Sequence, residues 1–283
     1  MKTRYIIIVL VLFAFVINSC DKVSPPFIES KDYCNGNKKI LIEDYTGHGC
    51  VNCPRAAVLA HDLKEQFCDR VVIIGVHAGF FAEPNFDSDP LYAADYTTTA
   101  GNTWDTFFGN SVKGNPNGLI DRVKGATGYV IYPQSWATTA DTLLTEPAKA
   151  LITISNDFDE SSKTLSTKVT TNFQENVAGA YKLIVCIKQD NLISPQKNND
   201  EEIGPTPVVV DYVHMNVLRK AINGAWGEYL GNSGAVVMSE NYEKTYNQVF
   251  QDEWIPADCK VVAFVYNEET KRVLQAEELS VLD

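Results

Sequence analysis

The chain has 283 residues, 45% of them apolar, with 36 acidic against 24 basic side chains and a net charge of −12. That length exceeds one small core and suits two domains. So acidic a surface argues against nucleic acid as a partner and against attachment to anionic lipid by charge.

Lys2 and Arg4 precede an unbroken apolar run from Tyr5 to Ile17, too short to span a bilayer and suited to a signal-peptide core. Ile17-Asn18-Ser19-Cys20 follows at once and resembles a lipobox, which makes residues 1–19 a lipoprotein signal peptide and Cys20 the lipid anchor. An ordinary secretory leader with a chance cysteine is the alternative. The leader holds two bases and no acid, so its removal makes the charge two units more negative. No later stretch is apolar enough for a membrane helix, which leaves the Cys20 lipid as the membrane attachment. Residues 20–34, with Ser24, Pro25 and Pro26, read as a tether.

From Lys39 the pattern changes. Ile40–Ile42 predicts a buried strand, broken by Gly47-His48-Gly49. Ala56, Leu59, Ala60, Leu63 and Phe67 then recur at helical spacing. Val71–Val76 is apolar on both faces, as parallel strands are, so the three elements predict a βαβ unit. Residues 78–111 form a long excursion with a helix expected near Leu91–Thr99; its aromatics Phe80, Phe81, Trp104, Phe107 and Phe108 read as packing of that loop, with a docking surface as the alternative. The turn at Gly114–Gly118 leads to a strand over Leu119–Val123 and a helix over Gln134–Leu144, and Glu146-Pro147 closes a first domain of residues 35–147.

Beyond Pro147 the period becomes two: Leu165, Thr167, Val169, Thr171 and Phe173 alternate with mostly polar neighbours. Further β-rich runs at 150–155, 181–188, 208–219, 235–250, 260–266 and 272–281 predict an all-β, immunoglobulin-like sandwich for residues 148–283. The acidic run Asn198–Glu202 reads as a solvated loop.

With Cys20 assigned to lipid, six cysteines remain. Cys50-Val51-Asn52-Cys53 lies between a buried strand and a helix, where backbone N–H groups and the helix dipole favour thiolate. Cys50 would attack, and Cys53, three residues on, would reach back to release a mixed disulfide. Cys34 and Cys68 each stand shortly before a strand of the βαβ unit, so they are expected to pair at the opposite sheet edge. Cys186 and Cys259 are expected to pair within the sandwich, as structural cross-links of neighbouring strands. His48 beside the dithiol and His77 at the end of the second strand are possible site neighbours, though each also reads as a turn histidine bonded to backbone. His61 reads as solvated and His214 as a strand surface residue. Pro54 after the second cysteine excludes haem attachment. No second CxxC or HxxxH completes a metal site around His48, and Asp87 and Asp89 lack the rest of a calcium loop, so no metal and no cofactor are expected.

Two resemblances follow from these residues. Ile42-Glu43-Asp44-Tyr45 before the dithiol, the helix after it, and Gly114-Asn115-Pro116 before a strand resemble thioredoxins over residues 38–146. The resemblance implies that Asp44 assists proton transfer to Cys53, and that Pro116 is cis, packs near the sulfurs and adjoins the substrate strand. Thioredoxin's Trp before the first cysteine is Gly49 here, and the 78–111 segment is longer. The lipobox, Thr46–Pro54, Val76-His77-Ala78-Gly79 and the tail Val262–Asn267 are similar to the outer membrane protein 28-related lipoproteins. That resemblance implies an outer-membrane location. The expected function is an outer-membrane lipoprotein exchanging disulfides with exported cysteine-containing proteins; the alternative is a surface binding or assembly lipoprotein, with other envelope proteins as partners and a merely structural CxxC.

Overall fold

The computed structural model describes residues 33–283. The leader, Cys20 and nearly all of the expected tether lie outside the described residues.

Strand β1 (Ile40–Thr46), helix α1 (Cys53–Gln66) and strand β2 (Val71–His77) form the expected βαβ unit. The strands are parallel, in register from Ile40 opposite Val71 to Thr46 opposite His77. Both are apolar on each face because each face is covered, and β2 is buried throughout. Pro54 suits the first turn of α1, whose N–H groups lack helical partners, and Ala56, Ala60 and Leu63 turn inward.

The helix expected near Leu91–Thr99 lies further on, as α2 (Thr99–Phe108). Asp95 accepts from both the N–H and the hydroxyl of Thr97, which holds that stretch in a turn. The Thr98 hydroxyl then caps the helix by accepting from Gly101 N at 2.9 Å. Strand β3 (Asn117–Ile120) runs antiparallel to β1. It stops short of the expected Val123 because Asp121 and Arg122 take positive φ and turn their charges inward. There Asp121 meets Lys38 at 2.6 Å, and Arg122 grips both oxygens of Glu43 at 2.7 and 2.8 Å. Helix α3 (Trp136–Leu144) follows.

The remaining strands are β4 (Ala150–Asp159), β5 (Thr164–Phe173), β6 (Tyr181–Gln189), β7 (Leu192–Ile193), β8 (Gln196–Lys197), β9 (Val208–Val209), β10 (Val213–His214), β11 (Val217–Ala221), β12 (Glu228–Tyr229), β13 (Asn241–Val249), β14 (Cys259–Asn267) and β15 (Val273–Ser280). They do not form a separate sandwich. One mixed sheet runs β15-β14-β6-β11-β2-β1-β3, with β12 beside β6, so it crosses the expected boundary at residue 147. Residues 34–283 accordingly form one unit. A second sheet, β13-β5-β4, covers one face of the β6–β14 half.

Alternation along β6 and β14 feeds two cores. Ile184, Cys186, Val262 and Phe264 join Leu41, Val72, Trp104 and Phe108 on the α2 side. Leu183, Val185, Ile187, Val261, Ala263 and Val265 meet Ile152, Leu165, Val169 and Phe173 on the other. The seam between the halves is narrow: β11 pairs with β2 through Val217 opposite Gly75. Gly75 N donates to Asn216 O at 2.7 Å, and a Cβ there would sit 3.3 Å from that oxygen, tighter than a side chain accepts easily. Lys188 Nζ reinforces the seam, donating to Ile73 O and Asn216 Oδ1 at 2.8 and 2.7 Å. The Arg122 guanidinium lies 5.1–5.9 Å from the ring centres of Trp104, Phe108, Trp226, Phe264 and Tyr266, binding both halves.

The expected Cys186–Cys259 bond does not form; both thiols are free and buried. Cys186 stands opposite Val262 and Cys259 opposite Gln189. The two are therefore offset by three residues, roughly 10 Å along the strands. An odd offset also sends them to opposite faces, and they belong to different cores. Burial pushes both thiols up in pKa, Cys259 to about 12, so neither is poised to react. Cys34 and Cys68 are bonded, with Cα atoms 5.4 Å apart, at the end where β1 and β2 begin.

Candidate functional site

The opposite end of those strands carries the dithiol. β1 ends at Thr46, a tight turn places Cys50 N on Gly47 O at 3.0 Å, and Cys53 opens α1. Cys50 and Cys53 are disulfide-bonded, Cα atoms 5.4 Å apart, and each is only 2% exposed. Gly49, where thioredoxins have Trp, is packed under the Phe86 ring, whose carbons would lie 2.7 Å from any Cβ. The long 78–111 segment thus packs directly on the dithiol turn.

Asp44 sits on β1 between Gly75 of β2 and Gly118 of β3. It is buried, its Oδ1 has no hydrogen-bond partner among the described residues, and burial raises its pKa to about 7. It forms part of the wall of a cavity of about 400 Å³ shared with Ala57, Ala60, Ile73 and Tyr212. The Asn115–Pro116 peptide is cis and immediately precedes β3, whose Asn117 pairs with Tyr45. Pro116 therefore comes to the sheet end from which the dithiol turn departs.

Among the histidines, His48 is buried, stacks on Tyr92 and contacts Glu83 O through Nε2 at 2.7 Å; burial lowers its pKa. It is a backbone-bonded turn histidine. His77 is buried with neither ring nitrogen partnered among the described residues, and burial, then His214, holds its pKa well below the usual value. His214 is not on the surface: its Nε2 meets Ser194 O at 3.2 Å, its ring packs on His77, Tyr96 and Tyr212, and burial lowers its pKa to about 4. His61 is exposed and pairs with Glu65. Among the described residues no three His, Cys, Asp or Glu side chains are grouped to hold a metal ion.

The acidic run Asn198–Glu202 is likewise no free loop. It belongs to an excursion between β6 and β11 that reaches back to the dithiol. Lys197 N donates to His48 O at 2.8 Å and Asn199 N to Val51 O at 3.2 Å. The Gln196 amide donates to Cys50 O at 2.9 Å and Gly47 O at 3.3 Å. Arg55, on α1, pairs with Asp200 and Glu202 at 2.7 and 2.9 Å. No spacing in the sequence announces these contacts; the acidic run and Arg55 were the sole hint of complementary charge.

The family model described as outer membrane protein Omp28 matches residues 102–281, more than half of the chain. The chain belongs to the Omp28 family. It is accordingly a protein of the outer membrane. Pro116 lies within the matched span, whereas Asp44, Cys50 and Cys53 precede it. Among solved structures, this Omp28-family chain is similar to HBP35 of Porphyromonas gingivalis, with a TM-score of 0.64 at 15% identity, covering 88% of this chain and 77% of that one. At that identity the likeness speaks to fold. A domain of the outer membrane lipoprotein Omp28 from Porphyromonas gingivalis is 19% identical, covering 47% of this chain and 88% of that one, with a TM-score of 0.32. No curated protein sequence matches.

Proposed function

We propose that this protein is a lipoprotein, tethered through Cys20, that exchanges disulfides with exported cysteine-containing proteins through a thioredoxin-like module over residues 38–146. One observation carries the reading: a CxxC leads from β1 into α1, on a sheet whose β1 holds a buried acid and whose β3 is entered through a cis X-Pro bond. In the reducing direction the Cys50 thiolate attacks a substrate disulfide, and the departing substrate sulfur takes a proton. Asp44, titrating near neutrality, accepts the Cys53 proton; the Cys53 thiolate then attacks the Cys50 sulfur, frees the second substrate thiol and leaves the Cys50–Cys53 disulfide. The same steps run backwards oxidise a substrate dithiol. Pro116 borders the surface on which the substrate chain would lie.

A second reading is favoured by the near-complete burial of both sulfurs: a binding or assembly lipoprotein in which the CxxC is structural. Reduction of a disulfide-containing protein by the wild type and by Cys50→Ser separates the two. Exchange requires activity that the variant loses; equal rates leave the structural reading. Cys20→Ala tests the anchor, since loss of the lipid moves the protein from the detergent phase to the aqueous phase.

A further inference from the structure

We infer that residues 194–204 form a latch over the Cys50–Cys53 site, which withholds both sulfurs from exchange while seated and exposes them when displaced. The inference rests on the reading of this dithiol as an exchange site. Its first support is where the segment bonds. The N–H groups of Lys197 and Asn199 donate to the carbonyls of His48 and Val51 in the dithiol turn. The Gln196 side chain takes the carbonyls of Gly47 and Cys50, and Asn199 Nδ2 donates to Asn52 Oδ1 at 2.7 Å. Gly47, His48, Cys50, Val51 and Asn52 thus each accept a hydrogen bond from this single segment. Lys197 also places its ammonium 4.6 Å from the Phe86 ring centre, so the latch joins the dithiol turn to the loop that packs on Gly49.

The second support is how weakly the segment is rooted. From Ser194 to Gly204 the sequence is Ser-Pro-Gln-Lys-Asn-Asn-Asp-Glu-Glu-Ile-Gly, in which Ile203 is the one large aliphatic side chain. No residue of it belongs to either hydrophobic core. Its hold is polar: hydrogen bonds, the Lys197 ammonium against the Phe86 and Tyr92 rings and 4.0 Å from Asp87, and the half-exposed pairing of Arg55 with Asp200 and Glu202. Such segments open locally at a free energy far below that of global unfolding. The latch is shaped for the purpose: Asn198 Nδ2 braces it internally on Asp200 O and Gly204 O at 2.8 and 2.9 Å, and the short β8–β9 pairing closes its base. It can therefore lift as a unit while the sheet stays intact.

The test is the rate at which dithiothreitol reduces the Cys50–Cys53 disulfide in the full folded chain, read by alkylation and peptide mass. In that step the reagent's two thiols are oxidised to its cyclic disulfide while Cys50 and Cys53 gain two electrons and two protons. Gln196→Ala should speed reduction about tenfold by removing two buried hydrogen bonds. Arg55→Gln, at an exposed position that does not threaten folding, should speed it about threefold. Lys149→Gln, which breaks the remote exposed pair with Glu175, should leave the rate unchanged. Wild-type rates in both Gln196→Ala and Arg55→Gln would overturn the latch. The reagent needs no protein substrate, so failure of the Cys50→Ser comparison would leave this result standing, and failure here would leave that comparison standing.

Discussion

The two disulfides stand at opposite ends of the same pair of parallel strands, and their surroundings differ in kind. Cys34–Cys68 is the more open of the two, with Cys34 exposed, yet its neighbourhood is fixed by buried charge. There Arg70 donates to Lys38 O and Leu144 O at 3.0 and 2.7 Å, and Lys38 donates to Asp121 and Leu274 O. Cys50–Cys53 is nearly sealed, yet the segment hydrogen-bonded to its turn is polar and lies outside both cores. Exposure alone would favour Cys34–Cys68, whereas the proposed exchange site is the buried pair. The features that separate them are the helix N-terminus, the acid on β1 and a cover that can lift.

The largest expected effect is on what both ends share. Arg122→Ala leaves Glu43 buried without its cation and empties an aromatic cage, and should cost about 3–5 kcal/mol in urea unfolding. A smaller loss would mean that the halves are joined mainly by β11 and β2. Next, replacing both Cys34 and Cys68 by Ser should cost about 2–4 kcal/mol while leaving exchange at Cys50 untouched. Loss of exchange in that folded double variant would break the contrast between a fixed end and a reactive end.

Asp44 sharpens the contrast through pH. Its carboxyl titrates near 7 in the folded chain against an ordinary 3.8, so the folded state holds the proton more tightly. That contribution to stability is whole below the unfolded value and is lost as pH rises through 7. Asp44→Asn should therefore stabilise the chain at pH 8 relative to pH 5 by on the order of 2 kcal/mol, a difference that urea unfolding at the two pH values reads. An equal effect at both would show that Asp44 is not buried as a neutral acid. The smallest effect is at the surface: Arg55→Gln should leave the urea midpoint unchanged while it alters access to the dithiol.

What the sequence disclosed follows from where its contacts are local. β1, α1 and β2 were legible because apolar residues on both strand faces and helical spacing encode their own burial. So were β4 and β5, through alternation. The joining of the two halves was not, although Tyr181–Gln189 and Cys259–Asn267 held the signal: both are apolar at consecutive positions, which marks strands covered on two faces rather than one side of a sandwich. Arg122 read as one more residue of the strand Leu119–Val123, and its role stayed hidden because its partner lies 79 positions away. The latch was illegible for the same reason. Its strands are two residues long, and Gln196 reaches partners 146 and 149 positions distant.

The most direct test of the account is an equilibrium titration of both disulfides in graded thiol redox buffers, read by alkylation and peptide mass on the native chain. In the proposed exchange site the helix N-terminus would stabilise the Cys50 thiolate and so the reduced form, an aid that Cys34–Cys68 lacks. Cys50–Cys53 is therefore predicted to be reduced in buffers that leave Cys34–Cys68 intact. Reduction of Cys34–Cys68 first, or of both together, would contradict the assignment of the exchange site.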